Sequence, residues 1–60
     1  MKPDWKDAPE WANWLARDMS GRWFWWERKP DFIGDEWLYG GRYEIAAAID
    51  YAWETLEARP

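Results

Sequence analysis

Few side chains in this 60-residue chain could act on a substrate. Nucleophilic catalysis needs a hydroxyl, thiol or amine beside a base. The only aliphatic hydroxyls are Ser20 and Thr55, and with no Cys and no His neither has an imidazole to take its proton. Ser20 reads as a turn former and Thr55 as a surface position of a helix. Asp35 with Glu36, or Asp18 with Glu27, supply the carboxylate types of glycoside hydrolysis. That chemistry also needs a cleft enclosing a sugar, which a chain of this size scarcely builds. No catalytic residues, and so no enzyme, are expected.

Metal and cofactor chemistry is equally sparse. Thiolate and imidazole ligands are absent. Asp31, Asp35 and Glu36 lack the regular spacing and internal glycine of a calcium loop and read as a solvated acidic loop. Gly40 and Gly41 have no following Lys and Ser or Thr to make a phosphate cradle, so they read as a turn. No metal and no cofactor is expected.

The residues that can do something are the aromatics: eight Trp, three Tyr and two Phe. A domain of this length buries only about 60% of its unfolded surface. Without disulfides, indole packing must replace the usual staples. The same ring is the favoured anchor of binding hot spots. Trp14, Trp25, Trp37 and Trp53 are assigned to the core, and Trp5, Trp23 and Trp26 to a partner-binding surface. Arg22 and Arg28, with Lys29, flank the Trp23 to Trp26 run and complete that surface, where cations could stack bases, meet an acidic protein or simply protect the fold. Asp50, Glu54 and Glu57 form a second candidate surface, an acidic face docking on a basic partner.

These side chains need elements to hold them. Residues 1–10, with two prolines around Trp5, read as an arm. The segment PEWANWLARD admits a short helix starting at Pro9 or a strand over 13–17. RWFWWERK then reads as a strand ended by Pro30, and it needs a partner, so 13–17 and 23–28 form a hairpin through Asp-Met-Ser-Gly. Alternation puts Trp23 and Trp25 on one face and Phe24 and Trp26 on the other; the face not covered is the first candidate for binding. A loop follows over 30–35, anchored by Phe32 and Ile33, and 36–39 adds a third strand. Residues 43–58 are predicted as a helix, with Ile45, Ile49, Ala52, Trp53 and Leu56 on one stripe and alanines at 46–48. The expected fold is α+β, one domain over 1–60 with a two- or three-stranded antiparallel meander over 13–39 packed against one C-terminal helix.

Twelve acidic against eight basic residues, a net charge of −4, argue against nucleic acid as a partner. No apolar run is long enough to cross a bilayer, and MKPDWKDAPE has no apolar signal core, so a cytoplasmic place is expected and no membrane partner.

The stretch APEWANWLARDMSGRWFWWERKP, the tryptophan beside Glu36, the GGR at 40–42 and the closing WETLEARP together resemble a group of short tryptophan-rich proteins encoded by bacteriophages and prophages. The likeness runs from Trp5 to Pro60, while YEIAAAIDYA departs from the shorter, more polar connection of that group. The resemblance implies context rather than activity: small phage proteins commonly bind and redirect host proteins, defence systems included. The expected partner is therefore a host or defence protein. Single-strand nucleic-acid binding through Trp and Arg stacking, and a structural role as a homo-oligomer such as a homodimer, are the alternatives.

Overall fold

The computed structural model describes residues 3–49 and 55–60, with backbone alone at 47–49 and 55. It is built of strands: β1 (Trp14–Arg17), β2 (Arg22–Trp26), β3 (Asp31–Ile33), β4 (Glu36–Leu38), β5 (Tyr43–Ile49) and β6 (Thr55–Ala58), preceded by a single 3-10 turn at Trp5–Asp7. Four strands form one antiparallel sheet in the order β5-β2-β1-β6, and β3 and β4 form a separate antiparallel pair.

The central hairpin follows from its turn. The Gly21 N–H donates to the Asp18 carbonyl at 3.1 Å, while the Asp18 carboxylate accepts from the backbone N–H groups of Ser20 and Arg22 at 2.9 and 3.2 Å. An aspartate at the head of such a turn satisfies backbone donors that would otherwise stay unpaired. The turn sets the register, Leu15 opposite Trp25 and Ala16 opposite Phe24. Leu15 and Ala16 point to opposite faces, yet neither is exposed at all. The centre of the sheet is therefore covered on both sides.

Three expectations need correction. The α+β class is replaced by a β-rich fold, and the helix over 43–58 is absent: Tyr43–Ile49 and Thr55–Ala58 are strands. Once β1 and β2 pair, each keeps an outer row of backbone donors and acceptors, and β5 and β6 satisfy those rows. That non-local demand outweighs the helix preference of three alanines. Ala46 is buried instead in the cluster of Ala12, Leu15, Trp23 and Trp25. The ladder between β2 and β5 shifts between Arg22, which faces Ile49, and Phe24, which faces Ile45, so β5 carries two extra residues there.

The third strand lies elsewhere too. Glu36–Leu38 pairs with Asp31–Ile33, inside the segment expected as a loop, rather than extending the meander. Gly34 makes this possible. Its φ is +68° and that of Asp35 is not positive, the pattern of a two-residue type II′ hairpin turn, in which only the first central residue is left-handed. No helix of the described residues is long and apolar enough to cross a membrane.

Candidate functional site

The two faces of the sheet are finished differently. On the first, Trp23 and Trp25 pack with Leu15, Ala12 and Ala46, and the arm closes over them. Trp5 sits 5.0 Å from Trp25 between ring centroids and donates its indole N–H to Glu57 Oε1 at 2.6 Å. Arg17, almost wholly buried, places its guanidinium 5.2 Å from the Trp23 ring. Arg59 reaches back to bond the Pro9 and Ala12 carbonyls at 3.1 and 2.6 Å and lies over Trp5. This face is a core.

The second face carries Phe24 and Trp26 from β2 and, across the ladder, Tyr43 and Ile45 from β5. Trp26 and Tyr43 stack with centroids 4.9 Å apart and planes at 29°, and Phe24 meets Tyr43 edge-on at 6.1 Å. Opposite them stands the β3–β4 hairpin. Trp37 of β4 fixes its position by donating its indole N–H to the Arg17 carbonyl at 2.8 Å, and Phe32 packs on Trp37 at 4.9 Å.

Between hairpin and sheet runs a cleft of about 270 Å³. Phe24, Trp26 and Tyr43 line its sheet side, Trp37, Leu38 and Tyr39 its hairpin side, and Asp18 and Glu36 contribute carboxylates. The volume is near the lower end of small-molecule sites and suits one side chain or a small group better than a substrate and its catalytic apparatus.

The two tyrosines of the cleft stand open. Tyr43 is 61% exposed and Tyr39 75% exposed. Tyr39 also has φ +66°, the one non-glycine residue in the left-handed region among the described residues, a conformation costing on the order of 1–2 kcal/mol for a side chain with Cβ. The next residue, Gly40, is packed against the Trp26 ring: a Cβ there would fall inside van der Waals distance of Trp26 Cε3 and of the Arg28 carbonyl. A strained Tyr followed by a glycine against an indole gives the wall its shape.

The expected binding surface is rearranged accordingly. Trp23 and Trp26, expected on the exterior, are 3% and 5% exposed and lie on opposite faces of β2, because both faces of the sheet centre are covered. Their indole N–H groups are enclosed with no acceptor among the described residues. Arg22 and Arg28 flank β2 at opposite ends, exposed, and neither lies over a ring among the described residues; Arg28 stands 3.9 Å from Glu27. Trp23, Trp26, Arg22 and Arg28 therefore form no common patch, and the stacking platform for single-stranded bases is lost. Trp5 is half-buried and Glu57 receives its N–H from β6, not from an acidic helix face. Asp50 and Glu54, like the core candidate Trp53, lie outside the described residues.

Of the core assignments, Trp25 is buried, whereas Trp14 and Trp37 are half-buried. Sequence reasoning misses Phe24, Tyr39 and Tyr43 as site residues; the signal for Phe24 is its alternation with Trp23 and Trp25, and for Tyr39 the two glycines after it. Asp31, Asp35 and Glu36 are exposed on the second hairpin, and no cluster of three acidic side chains able to hold a metal occurs among the described residues. Ser20 is tied to Asp18 through its hydroxyl. Comparison with family models, curated proteins and solved structures returns no match.

Proposed function

We propose that the chain is a non-enzymatic binding protein that engages a host bacterial protein, a defence protein among the candidates, in the host cytoplasm. The contact is the aromatic cleft between the sheet and the β3–β4 hairpin. One observation carries this reading: Tyr39 and Tyr43 stand more than half exposed on the two sides of a concave site while the opposite face of the same sheet is sealed. Exposed aromatics in a concavity have the features of a hot spot, where large rigid area is gained at low conformational cost. The host context comes from the resemblance to phage-encoded tryptophan-rich proteins.

The test is affinity capture from bacterial lysate with the wild type and a Tyr39→Ala, Tyr43→Ala double variant. A specific host protein captured by the first and released by the second, with unchanged melting, supports the reading. Equal capture by both contradicts it.

A further inference from the structure

The cations of this chain are distributed unevenly over its rings. Arg17 lies over Trp23, Lys29 over Trp14 at 5.9 Å, Arg42 over Trp11 at 4.6 Å and Arg59 over Trp5 at 5.6 Å. Among the described residues none lies over Phe24, Trp26, Trp37, Tyr39 or Tyr43, the rings of the cleft. The same cleft holds two carboxylates, and neither forms an ion pair among the described residues. Asp18 uses Oδ1 in its turn, accepting from Ser20 and from the Arg22 N–H, and makes no bond through Oδ2 within the described residues. Glu36 is exposed and its carboxylate makes no hydrogen bond within the described residues.

Ring faces carry negative potential, and carboxylates beside them add to it. Over the rings outside the cleft, including Trp14 beside Trp26 on the same face, this chain offsets that potential with a cation of its own. Resting on the reading that the cleft binds a protein, we infer that it receives an arginine side chain from the partner. A guanidinium stacks flat on an aromatic face while its N–H fork donates to a carboxylate, a geometry an ammonium does not share. Three of the four internal stacks use arginine. A neutral apolar occupant would cover the rings but strip water from Asp18 and Glu36 without pairing them, and an anionic one would be repelled.

The test is a nuclear magnetic resonance titration of the intact chain with acetyl-Gly-Arg-Gly-amide and with its citrulline counterpart, which keeps the shape and loses the charge. The expected result is saturable shifts of the Tyr39, Tyr43 and Trp37 ring signals by the arginine peptide, with affinity about tenfold lower for citrulline. The double variant Asp18→Asn, Glu36→Gln should lower arginine affinity by a similar factor. The Asp18→Asn change keeps the Oδ1 acceptor of the turn; if the double variant nonetheless melts early, Glu36→Gln alone, at an exposed site, carries the comparison. Equal affinity for both peptides, no saturable shift with either, or unchanged affinity in the folded variant overturns the inference. If the arginine peptide fails while the Tyr39→Ala, Tyr43→Ala double variant still abolishes capture of the host protein, the cleft is a protein site with another occupant. If capture survives that variant as well, the proposed function fails with it.

Discussion

Two aromatic faces of one four-stranded sheet have been put to opposite uses. The face of Trp23 and Trp25 is closed by its own chain: an arm lays Trp5 across it, Arg17 is sealed beneath, and Arg59 ties the C-terminal strand to the Pro9 and Ala12 carbonyls. The face of Phe24, Trp26 and Tyr43 is only roofed, by a hairpin held through the Trp37 N–H, and a cleft remains beneath the roof. The lesson is that ring type does not decide between core and contact surface. What decides is whether the chain supplies the ring with a cover.

The strongest way to break this contrast is to open the closed face. Trp25→Ala should cost about 3–5 kcal/mol, since it removes a buried ring at the centre of the cluster. In a domain this small that means loss of cooperative thermal unfolding; a retained two-state melt would show that Trp25 is not the keystone. The open face responds more mildly. Gly40→Ala, which drives a methyl into the Trp26 ring, should cost about 1–3 kcal/mol in urea unfolding through overpacking and distort the cleft wall.

A smaller and more informative change is Tyr39→Gly. It relieves the left-handed strain, partly offset by the greater entropy of an unfolded glycine, so stability should rise by about 1 kcal/mol or less while partner binding falls. A variant both less stable and less able to bind would mean that the ring packs rather than waits. Least affected should be Arg28→Ala, outside both faces, within about 0.5 kcal/mol of wild type and without effect on binding.

The sheet centre was legible in the sequence because its signals are local: Asp18 to Gly21 are turn residues, and the run from Arg22 to Trp26 is dominated by strand-preferring aromatics. The alternation of Trp23 and Trp25 against Phe24 and Trp26 followed from the pleat. The rest depends on contacts distant in the chain. Ile45, Ile49, Ala52, Trp53 and Leu56 fit a helical stripe, and nothing within 43–58 reveals that β2 and β1 each need an outer neighbour. Trp26 reads as a binding residue because its neighbours are cationic, but Gly40 and Tyr43, fourteen and seventeen positions on, enclose it. The cleft was illegible for the same reason: Trp37 reaches it through a bond to the carbonyl of Arg17.

Hydroxyl-radical footprinting read by mass spectrometry tests the contrast between the faces most directly. Tyr39 and Tyr43 should be oxidised rapidly in the native protein, Trp37 at an intermediate rate, and Trp23 and Trp25 only on unfolding. Oxidation of Trp25 as fast as that of Tyr43 would contradict the account.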